Sequence, residues 1–349
     1  MTAGDVAAPL PALSPHIRPP REVRPAIHPP PLLGTPTIED TYRRLLDSLP
    51  ATYRPLAERL PWRLGLTSSP DGGWSDFVGL HPNRALPVYA AQTGGGGLGI
   101  RDGDLVRYLH AHHIGGFTWL LQDRLEDGQV ADPEDALFEL ADIFDRRWRE
   151  SLALATGDAP LSDLLCRRAA ARWRRGTGAE TRLLGACTVR APIYAAIVRE
   201  KLSWIGVPSQ ALLLCHGDPR RVPAFLHAHD LFMLGLQAVD DVVDADQDRA
   251  LRGGDVPTAL CCSPGALVRV APKLVERAAA VAEEGGFTWF ANWLEAFAEA
   301  IVSWRLDGDL VGDELDAIGI AGEIEEAVLS AVHAPIRVAS AARASAAPG

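Results

Sequence analysis

The chain has 349 residues, of which 47% are hydrophobic and 23% charged, and its formal net charge is -11. That is enough apolar material for one large core or two small ones, and the acidity argues against the basic footprint of a nucleic-acid binder. Five cysteines, at 166, 187, 215, 261 and 262, show no paired spacing, which argues against a disulfide framework and points to a reducing cytoplasm.

In chain order, ten of the 27 prolines fall between Pro9 and Pro36. Proline fits neither helix interiors nor central strands, so residues 1–36 are expected to form a disordered or extended leader. The first residues hold no signal-peptide core, and no apolar run approaches a transmembrane segment. Residues 37–335 read as one domain and 336–349, ending "SAARASAAPG", as a flexible tail. The "GGGG" at 94–97 lacks a Walker or dinucleotide pattern and reads as a loop. Next, "DGDLVRYLHAHHIGGFTWLLQDRLEDG" predicts a helix whose apolar stripe holds Leu105, Tyr108, Leu109, His112 and Trp119 to Leu121. His110, His112 and His113 diverge around that helix and nothing completes a zinc site. "DPEDALFELADIFDRRWRESL" opens on an Asp-Pro start. "PRRVPAFLHAHDLFMLGLQAVDDVVDAD", "PGALVRVAPKLVERAAAVAEE" and "FTWFANWLEAFAEAIVSWRL" continue at three-four spacing, with His227 and His229 as helix-face residues. Cys261–Cys262 reads as buried and inert, and "RLDGDLVGDELD" as a solvated loop and helix start. With no alternating strands, the fold class is all-α, a single helical bundle.

Two acidic clusters carry the chemistry. Asp240 and Asp244 lie at i and i+4, on one helix face, with Asp241 beside them, after the uncharged run Leu231–Val239. Such carboxylates repel one another unless a cation lies between them, and magnesium, which shares its shell with substrate phosphates, suits them best. The alternative is a solvated acidic helix end. Asp123 and Asp127, with Glu126 between, repeat the spacing 117 positions earlier. There a surface run with local ion pairs is an equal reading. Facing each other across a bundle, the clusters could clamp a metal-bound diphosphate.

These residues resemble the class I isoprenoid synthase superfamily, the trans-isoprenyl diphosphate synthases and the terpene synthases related to them. Its members carry two aspartate-rich motifs on opposing helices of an α-bundle, the second reading G-x-x-x-Q-x-x-D-D-x-x-D. "LGLQAVDDVVD" supplies Gln237, Asp240, Asp241 and Asp244, and "QDRLED" stands at the first motif. The resemblance spans Asn83 to Leu260 and is strong between 198 and 258. It implies three magnesium ions on Asp123, Glu126, Asp127, Asp240, Asp241 and Asp244. It further implies Lys201, on the helix "VREKLSWIGVPSQALLL", and Arg249 and Arg252, around "RGGDVPTAL", as diphosphate contacts. An allylic polyprenyl diphosphate in the farnesyl to geranylfarnesyl range is the implied substrate, and a homodimer the implied assembly.

Departures from the family pattern set the expected activity. Gln122 or Arg124 breaks the usual Asp-Asp-x-x-Asp, and "GQVADPEDA" stands where elongating members carry a basic pair. "NRALPVYAA" keeps Arg84 alone of an earlier basic stretch. Isopentenyl diphosphate needs several cations to bind, so the sequence points to a terpene cyclase that ionises one allylic diphosphate. Trp119, four residues before Asp123, would stabilise the cation beneath the diphosphate, with Phe117, Phe232 and the rings from Trp289 to Trp304 as further candidates. Ordinary core packing is the competing reading of that last group. A chain-elongating prenyltransferase and a non-catalytic partner subunit are the rival functions.

Overall fold

A computed structural model describes residues 17–18, 37–74, 85–92, 97–130, 135–184, 188–302, 305–306 and 314–331. The fold is all-α. The helices that position the site are α1 (Ile38–Asp47), α2 (Asp102–Glu126), α3 (Asp135–Thr156), α4 (Ala159–Leu184), α5 (Ala191–Lys201), α6 (Val207–His216), α7 (Val222–Val243), α8 (Ala245–Arg252), α9 (Pro264–Glu284), α10 (Thr288–Val302) and α11 (Glu314–Leu329). Outside them, Ile17–Arg18 forms a two-residue antiparallel pair with Arg305–Leu306. The remainder of the leader, the 332–349 tail, Cys187, Trp304 and most of "RLDGDLVGDELD" lie outside the described residues.

Helix α2 is buried on several faces rather than along one stripe, from Leu105 and Tyr108 through Phe117, Thr118 and Trp119 to Leu121. A helix apolar all round belongs at the centre of a bundle, and α2 packs against α1, α3 and α6. Helices α7 and α9 share the most extensive contact among the described helices. Gly235 permits it: a Cβ there would stand 2.9 Å from Val275 Cγ2 and 3.0 Å from the Ala271 carbonyl oxygen. Helix α9 also supports α10 and α11.

The apolar residues divide into two cores. The larger runs through α2, the C-terminal half of α3, α4 to α7 and α9 to α11. The smaller joins α1 and the segment from Leu49 to Trp74 to the outer side of α2 and α3, through Tyr42, Leu60, Trp74, Phe117, Leu121 and Phe144. Tyr42, Trp74 and Phe117 meet edge-on or tilted at 4.7–5.4 Å.

Two sequence expectations change. The stretch read as one lysine-bearing helix is two, α5 ending at Lys201 and α6 starting at Val207. Gly206 caps α6 and Pro208 lies in its first turn, where a missing N–H costs nothing but inside a helix would break it. Cys261 is exposed and Cys262 half-buried, not buried as expected. Cys261 adopts φ 53° in the turn after a short helix.

Candidate active site

Helical hydrogen bonding sets the spacing of the acidic side chains. The amide of Asp127 donates to the Asp123 carbonyl, and that of Asp244 to the Asp240 carbonyl, both at 2.9 Å. The Asp248 amide then bonds the Asp244 carbonyl at 2.8 Å, across the junction of α7 and α8. Asp240, Asp244, Asp248 and Arg252 therefore share one stripe at four-residue intervals.

The two clusters meet around a buried lysine. Lys201 Nζ lies 2.9 Å from Glu180 Oε2, 3.3 Å from Asp123 Oδ1 and 3.6 Å from Asp127 Oδ2. Burial alone would drive the ammonium to lose its proton, but Asp123, Glu180 and Asp127 outweigh it and raise the pKa well above the usual value. Arg252 forms the second tie. Its Nη2 pairs closely with Asp127 Oδ2, and it reaches Glu180 Oε2 and Asp248 Oδ1 at 3.5 Å each. Glu180, on α4, thus joins both cations.

From the other side come Asp240, Asp241 and Asp244. Asp240 is open to solvent although protein surrounds it, as on the wall of a cleft. Desolvation raises its pKa, opposed by Arg124 and Lys201. Arg124, which interrupts the first motif in sequence, bears electrostatically on both Asp240 and Asp244. Burial and the neighbouring Asp240 push Asp244 up to about 7. Desolvation likewise brings Asp127 and Asp248 to about 6, against the pull of their cations.

Asp241 occupies a different environment. It is buried, its Oδ2 accepts from the Tyr194 hydroxyl at 2.6 Å and its Oδ1 from Gln237 Nε2 at 2.8 Å. Both its oxygens are thus held by hydrogen bonds inside the bundle, at the end of α7. Gln237 also reaches Asp240 Oδ2 at 3.3 Å. Glu126 is exposed on the last turn of α2.

The other expected residues divide. Arg249 is not part of this ring: it is half-exposed and paired with Asp255 Oδ2 at 2.7 Å and Asp246 Oδ1 at 2.8 Å, where Asp255 also caps the next short helix. Phe117 belongs to the smaller core, packed against Tyr42 and Trp74. Phe232 packs against Phe290, Trp293 and Phe297 at 5.5–6.3 Å. Trp119 sits one turn from Asp123, inside a tryptophan cluster: Trp204 stacks on it at 5.8 Å, and Trp173 and Trp148 meet it edge-on at 4.9 and 5.7 Å. Below the ionic ring, Trp119 Nε1 and Thr177 Oγ1 are buried without hydrogen-bond partners among the described residues. Arg84 and most of "NRALP", the "GGGG" stretch to 96 and residues 131–134 of "GQVADPEDA" lie outside the described residues.

Six carboxyl groups (Asp123, Asp127, Glu180, Asp240, Asp244 and Asp248) lie around three cations, Lys201, Arg252 and Arg124. Asp123 Oδ1 is buried, ion-paired with Lys201 at 3.3 Å but without a hydrogen bond among the described residues. Hard oxygen donors in excess suit a hard cation. Among the described residues no three or more side chains form a closed metal cage. Magnesium does not need one, since it takes one or two carboxylates and completes its octahedron with water and phosphate oxygens. The donor types present are therefore of the kind that ion takes.

No family model matches the chain, and no curated protein matches it. Among solved structures, a polyprenyl synthetase from Streptomyces coelicolor A3(2) matches with a TM-score of 0.46 and 18% identity, covering 84% of this chain and 96% of that one. A likeness of that size fixes neither family nor activity. No described helix is long and apolar enough to cross a membrane.

Proposed function

We propose that the chain is a magnesium-dependent isoprenoid synthase of the class I type, which ionises an allylic diphosphate. One observation carries this reading. Two acidic clusters 117 residues apart converge on the same buried Lys201 and Arg252. A purely structural ion-pair network would balance its charges, whereas this one keeps an excess of carboxylates beside a solvent-open Asp240. Asp123 and Asp127 on one wall, and Asp240 and Asp244 on the other, would hold magnesium, which supplies Lewis acidity toward phosphate oxygens. Lys201 and Arg252 place fixed positive charge where the leaving diphosphate gains its negative charge. Trp119, with Trp173 and Trp204 around it, supports a dry aromatic floor beneath the diphosphate, suited to a carbocation.

Cyclisation is the favoured outcome. Four tryptophans crowd together one turn before Asp123, which favours a bound chain that folds back over one that extends. Chain elongation with isopentenyl diphosphate is the second reading. The deciding assay incubates geranyl, farnesyl, geranylgeranyl and geranylfarnesyl diphosphate with Mg2+, each with and without labelled isopentenyl diphosphate. Cyclic hydrocarbons or alcohols without label uptake are expected. Label in a longer diphosphate would overturn cyclisation, and no turnover of any substrate would overturn the synthase reading itself.

A further inference from the structure

We propose that Glu180 is a positioning residue, the carboxylate that keeps Lys201 and Arg252 together as an anion clamp when they give up Asp123 and Asp127. The proposal rests on the reading of this site as a diphosphate site. Lys201 and Arg252 have two kinds of partner. Asp123 and Asp127 belong to the wall expected to hold metal, and they cannot serve a metal and neutralise the same two cations at full strength. Glu180 belongs to neither acidic cluster, and it is the partner nearest Lys201, at 2.9 Å against 3.3 and 3.6 Å. Among the described residues, Glu180 and Asp127 alone form ion pairs with both cations.

Its backbone is fixed at the same level. Gly176, one turn earlier on α4, approaches α5 so closely that a Cβ would lie 2.5 Å from the Lys201 amide nitrogen and 2.9 Å from its Cα. The contact locks α4 against the end of α5, so Glu180 holds the ammonium from a rigid side. Asp127, by contrast, stands at the C-cap of α2, where the helix ends. Lys201 has three ammonium protons and Arg252 five N–H groups. Anchored by one bond each to Glu180, both retain donors for an incoming diphosphate once they turn from Asp123 and Asp127. Without Glu180, the same cations would compete with metal for the carboxylates that remain.

Inorganic pyrophosphate with Mg2+, titrated calorimetrically into the full-length chain, tests this without requiring turnover. Glu180→Ala should weaken pyrophosphate binding by about tenfold or more, while Glu180→Gln, which keeps an oxygen facing Lys201, should stay within about threefold of the wild type. With Mn2+ as a spin probe, the number of ions bound beside pyrophosphate should fall in the alanine variant and recover in the glutamine variant. Should Glu180→Ala fail to fold, Glu180→Asp keeps the charge but is one methylene too short to serve both cations, and should lose affinity as well. Alanine or aspartate variants that bind pyrophosphate as tightly as the wild type, or tighter, would overturn the positioning role. A wild-type chain that does not bind Mg2+-pyrophosphate at all would overturn both the role and the proposed function.

Discussion

Asp244, in the proposed site, would serve function at the expense of stability. Burial and Asp240 raise its carboxyl to about 7, so its ionised form is poorly accommodated before any cation arrives. Asp244→Ala should lower turnover by on the order of 10²- to 10³-fold, as loss of one electrostatic contact in an active site does. The same variant should melt no lower than the wild type in metal-free buffer near pH 8, because it relieves repulsion. Steady-state kinetics and a thermal melt check the two halves, and retained activity would remove Asp244 from the site. The four-residue spacing of Asp240, Asp244 and Asp123, Asp127 was legible because helical periodicity is local. Asp248 lay in the same periodic stripe and could have been found by extending it one more turn. Glu180, Tyr194 and Arg124 could not, because their roles depend on which helices pack together.

At the scale of elements, close backbone approaches hold the site in register. Gly253, at φ +80°, ends α8 in the left-handed conformation that glycine adopts without strain. Gly254 follows, and a Cβ there would collide with the Leu184 carbonyl oxygen at the end of α4. Because that neighbour is backbone, Gly254→Ala must push α8 away from α4 and draw Arg252 off Glu180 and Asp127. We expect destabilisation of about 1–3 kcal/mol, as for overpacking, together with weaker pyrophosphate binding. A denaturant melt unchanged from the wild type would show that the loop relaxes instead. The boundaries of α9, Pro264 and Glu284, match the sequence reading because a serine cap and an uninterrupted apolar stripe mark them. Helix α4 escaped that reading: its exposed arginines and internal Gly176 and Gly178 dilute the apolar pattern.

Across the whole molecule, the carboxylate excess sets a pH response. Asp127 and Asp248 have pKa values of about 6 and Asp244 about 7 in the folded chain, against roughly 3.9 for an unfolded aspartate. Between those values the native state keeps protons that the unfolded chain has released, so stability falls as pH rises. The contribution is fully present below the unfolded pKa and is lost as pH passes through 6 to 7. The metal-free melting temperature should therefore drop between pH 5 and pH 8. Mg2+ with pyrophosphate should raise it more at pH 8 than at pH 5, because metal ligands must be deprotonated. Scanning calorimetry across that window checks both slopes, and a flat or rising metal-free profile would contradict the site's electrostatics. The fold class followed from the sequence because nearly every segment shared one period. The division into two cores did not, because both faces of α2 are apolar and nothing local says which neighbour covers which face.

That division bears on how the chain moves. Helix α1 and the segment to Trp74 are held by their own set of apolar contacts, with Tyr42, Leu60 and Trp74 at its centre and the Thr41 hydroxyl bonded to His110 and His113 at 3.1 and 3.2 Å. None of these contacts reaches the ionic ring. A unit of this kind can open as a block while the rest of the bundle stays closed. Amides between Ile38 and Trp74 should then exchange with deuterium together, well before those of α7 and α9. Mg2+-pyrophosphate should slow exchange around Asp240 and Lys201 and leave the α1 block nearly unchanged. The bundle that carries the proposed site would thus tolerate fraying at its α1 flank, where sequence could change with little effect on the binding of Mg2+-pyrophosphate.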